Sequence, residues 1–348
     1  MDKSKVFAAS ASLLYAFSSA GETLAVKALN YAPNPLYLPA YTALLSNQMW
    51  IFMVPVYLLM PGVKETPRHT TLIYALHYTG FGILTFVITI LRNISVNAIP
   101  GSVFTLLIST SILFNILLSW IVLKKKFNYW HIGAALTCLA SALSIGITAL
   151  FTNQEGTYNF PLGISTGIAG AAAIAAMNVA QEYIQPKWDN LHLRLVEMTL
   201  VSSLIASLLV ALFGLSTGEV AQWSVALSKA TITKEGLILV ASVSITLPIL
   251  KLLVRNSKYS IIQFTSAFFF EFIQATAALL GSMANVFIFD EQWGLGYVAA
   301  LILLALSFGM YSKAKLLAKS VTKSVTSKSI VIENPIPQTI LVVVNVWK

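Results

Sequence analysis

Two glutamates stand inside strongly apolar stretches of this sequence, where an ionisable side chain is costly. Glu22 lies late in the first apolar run. Glu271 lies near the middle of the ninth apolar run, within the aromatic segment 268–272, with Gln274 about one helical turn further on the same face. A charge at the centre of a membrane helix costs on the order of 2.5–3.5 kcal/mol on the insertion scale. A carboxyl kept at such a cost suits proton coupling, or recognition of a cationic or amine-bearing substrate.

The alternative for both glutamates is an ion pair between helices, with Lys27 or Arg92 as the partner. Lys27 and His77 are the other ionisable candidates within apolar runs. A lysine at this position can also extend its charged end to the membrane interface along its apolar stem. For His77 the alternatives are a hydrogen-bonded packing residue and a proton carrier.

Uncharged polar side chains gather in two further apolar runs. Ser109 lies on a polar face of the fourth run with Asn115 deeper along it, and Asn178 and Gln181 lie near the end of the sixth run. In membranes such residues are either substrate ligands or hydrogen-bonding groups between helices. The candidate substrate-binding residues are therefore Glu22, Lys27, His77, Ser109, Asn115, Asn178, Gln181, Glu271 and Gln274.

The composition predicts a membrane protein. Of the 348 residues, 57% are hydrophobic and 10% are charged, with a mean hydropathy of +0.78, whereas soluble domains carry roughly 25% charged residues. The net charge of +9 is compatible with nucleic-acid binding. However, the cations cluster in short gaps between apolar runs, which is typical of membrane topology. We expect the lipid bilayer, a small-molecule substrate and protons as partners, and no nucleic acid; a homodimer stays open.

Ten apolar runs have the length of a bilayer crossing, for which about 20 residues suffice. The predicted fold is therefore an all-α integral membrane protein with about ten transmembrane helices. The runs cover residues 6–29, 36–60, 71–91, 100–123, 129–151, 160–183, 195–215, 236–254, 260–288 and 293–312. The first run resembles a signal peptide ending near Ala20, but its apolar character continues to Leu29, so we expect an uncleaved first helix.

Two pairs of matching segments indicate that the chain consists of two related halves. Residues 126–136 correspond to 291–301, and the Leu-Arg-Asn of 91–93 corresponds to the Val-Arg-Asn of 254–256. The pairs occur in the same order and at a nearly constant offset. Such internal similarity predicts a structural repeat.

Charge gives the two halves a direction. The loop 124–126 is Lys-Lys-Lys, whereas the matching loop carries an acidic pair at 290–291. Lys and Arg concentrate in one set of alternate loops and in the C-terminal segment, which predicts that both termini are cytoplasmic; no compartment is indicated. Five helices per half then require inverted insertion, an arrangement typical of transporters. The predicted units are 1–152 and 153–315, followed by a flexible basic tail, 316–348.

Several kinds of catalytic and cofactor site are missing from the sequence. It contains no Gly-Lys dipeptide, which excludes a P-loop, and the three aspartates, Asp2, Asp189 and Asp290, are too few for an Asp-rich magnesium site. The four histidines and the single Cys138 are scattered, so we expect neither a metal nor another cofactor. The chain is therefore not expected to be an enzyme, and a membrane-embedded enzyme or accessory subunit is the weaker alternative.

The Ile-Val-Leu-Lys-Lys-Lys-Phe of 121–127, followed by the Ile-Gly-Ala-Ala-Leu of 132–136, is similar to the basic loop and Gly-Ala entry between helices four and five of the drug/metabolite transporter superfamily. The Leu-Leu-Ile-Ser-Thr-Ser of 106–111 resembles both plant purine permeases and chloroquine-resistance-transporter-like proteins. The resemblance implies a secondary transporter that moves a small organic metabolite by alternating access, with its site between the halves. A nucleotide-sugar or organic-phosphate antiporter of the same superfamily is the alternative.

Overall fold

Helices joined by short connections make up the described part of the chain in this computed structural model. It describes residues 3–31, 39–59, 72–99, 101–152, 159–188, 191–230, 234–289 and 294–329. The helices are α1 (Lys3–Tyr31), α2 (Pro39–Asn47), α3 (Trp50–Leu59), α4 (Leu72–Ala98), α5 (Gly101–Ser109), α6 (Ser111–Val122), α7 (Tyr129–Thr152), α8 (Phe160–Ile184), α9 (Leu191–Ser216), α10 (Glu219–Ala230), α11 (Lys234–Phe264), α12 (Ala267–Phe289) and α13 (Leu295–Ser329), with one 3₁₀ turn, Gln185–Lys187. These residues contain no strand, and the chain is an all-α membrane protein.

Seven helical stretches in the described residues are long and apolar enough to cross a membrane. They are Ala40–Leu59, Leu72–Ala98, Phe160–Lys187, Leu193–Ser216, Leu237–Phe264, Ala267–Ala284 and Leu295–Leu317. Leu107–Val122 is a shorter apolar stretch. Each of the ten runs predicted to cross the bilayer contains helix, but the number of ten crossings and the inverted repeat stay predictions.

Three of the predicted runs contain a break instead of one continuous helix. The second run is interrupted at residues 48–49, between α2 and α3, the fourth at Thr110, between α5 and α6, and the ninth at residues 265–266, between α11 and α12. The Thr110 hydroxyl and backbone N–H both donate to the Leu107 carbonyl, at 2.6 and 3.1 Å. The chain therefore makes a tight i−3 turn at this point, which locally replaces the regular helical pattern.

Helix α11 continues further than the sequence predicted. The expected end at residue 254 is wrong, because α11 runs to Phe264 and α12 begins only at Ala267. Arg255 and Lys258, expected in a cytoplasmic loop, lie inside α11 instead, and Lys251, expected near the cytoplasmic end of its run, lies well before the end of this helix. Arg92, expected at a helix end, likewise lies within α4. These cations do not end their helices, because polar partners from other helices bind several of them, as described below.

Two other segments differ from expectation. The short helix α10 occupies a connection for which no helix was predicted, and its Glu219 carboxylate accepts hydrogen bonds from the backbone N–H groups of Ala40 and Tyr41. An acid at a helix N-terminus binds the free N–H groups there, so α10 anchors the start of α2. Helix α13 extends to Ser329, through the first part of the tail predicted to be flexible. The rest of that tail, 330–348, lies outside the described residues.

The helix contacts follow a matched pattern in the two predicted halves. Helix α1 packs along α11, and the corresponding helix α8 packs along α4; α1 also packs on α12, as α8 packs on α5 and α6. Helices α7 and α13, the last of each half, pack against each other. A repeat with one pseudo-twofold axis requires such paired contacts.

Small residues on α8 permit close helix packing. A Cβ atom on Gly163 would lie 2.3 Å from the Ile99 Cγ2 atom, and one on Gly167 would lie 2.7 Å from the Leu107 Cδ1 atom. The Ser95 hydroxyl donates to the Gly163 carbonyl at 2.8 Å. These two glycines therefore permit a close approach of the helices, and this contact positions α8 for the site described next.

Candidate functional site

Glu271 lies at the crossing of three helices and is buried. It occupies the second turn of α12, not the middle of a helix as predicted, because α12 begins at Ala267. Its carboxylate accepts hydrogen bonds from Ser111 Oγ at 2.5 Å, Asn115 Nδ2 at 3.0 Å and Asn178 Nδ2 at 2.8 Å. Among the described residues no cation lies within ion-pair distance of it. Neutral donors therefore make all the hydrogen bonds that the structure shows to this carboxyl, and Lys258 of α11 interacts with it electrostatically from beyond ion-pair distance.

Two further polar side chains extend this cluster. Ser119 Oγ donates to Asn115 Oδ1 at 3.2 Å, and Gln274 Nε2 lies 3.5 Å from Ser111 Oγ. Ser111, Asn115 and Ser119 are spaced by four residues and therefore share one face of α6. The Glu271 cluster is defined as Ser111, Asn115, Ser119, Asn178, Glu271 and Gln274.

Helix α8 contributes a row of buried amides next to this cluster. The row consists of Asn178 and Gln181 of α8 and Gln185, the first residue of the 3₁₀ turn that continues it. These residues are spaced by three and four positions and therefore share one face. Each is at most 3% exposed. In the described part of the chain, both polar atoms of each glutamine and the Oδ1 atom of Asn178 have no hydrogen-bond partner. A buried polar group without a partner costs about 1–3 kcal/mol, so these amides can bind a ligand that carries both donors and acceptors.

Glu22 forms the centre of a second buried cluster, in which its partners are charged. Its Oε1 atom accepts from Arg92 Nη1 at 3.2 Å and from Lys251 Nζ at 2.8 Å. The alternative of an ion pair with Arg92 is therefore confirmed, and Lys251 is a partner that the sequence analysis missed. These three residues, the Glu22 cluster, connect α1, α4 and α11. Lys27 lies in α1, but its side chain is not among those that the structure describes.

Tyr15 lies between the two clusters. Its ring packs edge-on against Phe270, with centroids 4.8 Å apart and an interplanar angle of 79°. Electrostatic interactions link its hydroxyl to Glu22, Arg92 and Glu271. The two carboxyls therefore belong to one polar region of the helix bundle, separated by a buried aromatic residue.

The structure brings together some of the sequence-predicted residues and leaves others apart. Asn115, Asn178, Glu271 and Gln274 lie in the Glu271 cluster, with Gln181 adjacent on α8. Ser109 is the buried last residue of α5 and precedes the break at Thr110. His77 lies near the start of α4 and is half-buried, and its Nδ1 atom has no partner in the described chain.

The sequence pattern did not identify three residues described in this structure as candidate site residues: Ser111, Gln185 and Arg255. The four-residue spacing of Ser111, Asn115 and Ser119 could have identified the first of them. The other two lie in segments that the sequence analysis assigned to helix ends or loops. Among the described residues there is no group of three or more His, Cys, Asp or Glu that could hold a metal.

The Lys-rich loop 124–126 and the C-terminal end of α8 are also connected. Lys125 forms an ion pair with Glu182, and the Glu182 carboxylate accepts from the Ala267 backbone N–H at 3.1 Å. This contact ties the loop after α6 to the start of α12, one turn before Glu271. A surface groove between α7 and α13 is lined almost entirely by apolar atoms, around Trp130 and Met310. It lies apart from both carboxyl clusters and offers little to a polar substrate.

Comparisons with known proteins identify the family. Among solved structures, the chain is similar to one described only as the crystal structure of a protein. That match has a TM-score of 0.58 and 16% identity, and it covers 90% of this chain and 99% of the other, so it supports the fold alone. No curated protein matches the sequence. A family model described as purine nucleobase transmembrane transport matches residues 41–320, and the chain belongs to that family.

Proposed function

We propose that this protein is a secondary transporter that carries a purine nucleobase across a membrane by alternating access, with the base bound between the Glu271 cluster and the amides of α8. The family supports the substrate class. The observation that carries the proposal is the buried Glu271 carboxyl held by three neutral donors. Its donors come from α6 and α8, which belong to different predicted halves.

The chemistry of the amide row suits a purine. The edge of a purine ring alternates hydrogen-bond donors and acceptors, and Asn and Gln side chains bind such edges with two bonds at once. Gln181 and Gln185 each offer a donor and an acceptor that no described residue uses. The Glu271 carboxylate can accept a ring N–H. The polar set therefore matches a flat, uncharged heterocycle better than a sugar or a phosphate.

Glu271 is also the proposed proton carrier. A carboxyl whose direct partners are a hydroxyl and two amides can gain a proton without breaking an ion pair, since Lys258 interacts with it only from beyond ion-pair distance. Glu22 lacks this freedom, because protonating it would leave the half-buried Arg92 and Lys251 without an anion. Uptake coupled to protons would therefore run through Glu271, with Glu22 serving to hold helices together.

The two ion-pair contacts are proposed to act on opposite sides of the substrate. The Glu22 cluster joins α1 and α4 of the first half to α11 of the second, and the Lys125–Glu182 pair joins the loop after α6 to α8. Opening one contact while the other stays closed would expose the site to one side at a time. This scheme rests on ten helices in two inverted five-helix halves with both termini cytoplasmic.

Transport by purified protein in proteoliposomes tests the proposal. With the outside more acidic than the inside, vesicles should accumulate radiolabelled purine nucleobase, and Glu271→Gln should abolish the part driven by the pH gradient. Glu235→Gln, at an exposed acid in the first turn of α11, is the matched control and should behave like the wild type. The proposal fails if no purine nucleobase accumulates, or if Glu271→Gln leaves gradient-driven uptake unchanged.

A further inference from the structure

Arg255 is a buried cation that uses only part of its hydrogen-bonding capacity. It is 5% exposed, its Nε atom donates to the Tyr259 hydroxyl, and its Nη2 atom donates to Ser202 Oγ. Its Nη1 atom has no partner among the described residues. Arginine carries five N–H donors and keeps its charge in proteins, so N–H groups on both terminal nitrogens remain available.

The charge of Arg255 also lacks an acid in the described chain, whereas the matching arginine of the first half has one. Arg92 and Arg255 occupy the same place in the repeated Leu/Val-Arg-Asn segments. Arg92 forms an ion pair with Glu22, which it shares with Lys251. No described carboxylate lies within ion-pair distance of Arg255. An uncompensated buried charge is costly, so a ligand that accepts hydrogen bonds would be favoured beside it.

Arg255 lies near the residues proposed to bind the base. Tyr259, which accepts its Nε–H, packs in one buried cluster with Met177 and Met198. Met177 immediately precedes Asn178, the α8 residue that donates to Glu271. Helices α8 and α11 also contact each other directly. Through Tyr259, the Arg255 guanidinium is therefore connected to the segment of α8 that carries Asn178.

We infer that Arg255 donates to O6 and N7 of a 6-oxopurine. The protein therefore prefers 6-oxopurines to 6-aminopurines. This inference rests on the proposed function and specifies its substrate. A guanidinium is the commonest side chain that donates to both O6 and N7 of a purine. A 6-amino group presents N–H donors at the same position, where they would face the N–H donors of Arg255. The oxygen also bears partial negative charge, which offsets the uncompensated cation.

Ligand binding to purified protein tests this with hypoxanthine and adenine, which differ at position 6 by an oxygen in place of an amino group. Measured by thermal shift and by competition for uptake, hypoxanthine should bind roughly 10-fold more tightly than adenine. Arg255→Gln should remove that preference, because an amide can accept as well as donate, and should leave adenine binding measurable. Arg255→Lys should retain part of the preference, because lysine keeps the charge but lacks the planar pair of N–H donors. Lys315→Gln, at an exposed cation on α13, should keep the wild-type preference.

The outcomes separate this inference from the function it rests on. Equal affinity of the wild type for both bases, or tighter binding of adenine, overturns the inference and leaves nucleobase transport standing. A preference that survives in Arg255→Gln also overturns it. If the wild type binds neither base and takes up neither, the proposed function and this inference both fail.

Discussion

Glu22 and Glu271 are equally buried, each 3% exposed, but their partners differ in kind. Glu22 meets two cations, from α4 and α11, whereas Glu271 meets a hydroxyl and two amides, from α6 and α8. A carboxylate between two half-buried cations has to keep its charge, because its loss would leave them uncompensated. A carboxyl between neutral donors is free of that constraint. The chemistry of the partners, more than burial, therefore separates a structural acid from a candidate proton carrier.

Removing the acid of the Glu22 cluster should give the largest effect. Glu22→Ala leaves the half-buried Arg92 and Lys251 without an anion, and breaking a fully buried ion pair in this way costs about 3–5 kcal/mol in the free energy of unfolding, which is the upper bound here. Unfolding of the purified protein in detergent, by denaturant or by heat, measures this loss.

The control removes all three charges together. The triple variant Glu22→Met, Arg92→Met and Lys251→Met leaves no unpaired charge, and apolar replacement of a whole buried ion cluster is often neutral. It should regain most of the stability lost in Glu22→Ala. If both variants were as stable as the wild type, the cations would have other partners and the contrast with Glu271 would not hold.

Removing one donor from the Glu271 cluster should have an intermediate effect. Asn178→Ala deletes the 2.8 Å hydrogen bond to the carboxylate, and a hydrogen bond to a charged group contributes about 1.5–3 kcal/mol. Gln274→Ala is the matched comparison, because its 3.5 Å contact is with Ser111 and not with the carboxylate. It should cost about 0.6 kcal/mol or less, the average for hydrogen bonds between membrane helices. Equal losses in the two variants would show that the carboxylate is not the centre of the cluster.

The sequence predicted the parts of this contrast that depend on local pattern. Apolar runs located the helices, because a bilayer crossing requires about 20 apolar residues whatever the neighbouring helices are. Three polar residues in separate runs were selected because a polar side chain in the membrane costs free energy: Asn115, Asn178 and Glu271. The structure places all three in direct hydrogen-bonding contact.

The sequence could not reveal which partner each carboxyl would find. Glu22 and Lys251 are 229 residues apart in the chain, and no local pattern connects them. The misplaced end of α11 has a related cause, because Arg255 and Lys258 were taken as signs of a loop although α11 continues to Phe264. Ser111 was not selected because a serine in an apolar run has a low free-energy cost and commonly bonds between helices. Its contact with Glu271 appears only when α12 lies beside α6.

Among the changes to the two carboxyls, Glu271→Gln should have the smallest effect on stability. It also tests the comparison between them most directly. The substitution removes the charge, so the stronger charge-assisted bonds are lost, but the cost of burying that charge is lost as well. The new amide can keep its oxygen on the Asn115 and Asn178 amides and donate from its nitrogen to Ser111 Oγ, because a hydroxyl can accept as well as donate. These terms offset each other, and the free energy of unfolding should change by less than about 1 kcal/mol. Glu22→Gln is the same substitution but leaves two half-buried cations without an anion, so in the same unfolding assay it should lose several-fold more stability. Equal losses in the two variants would mean that Glu271 also compensates a cation, and that its proposed freedom to exchange a proton is absent.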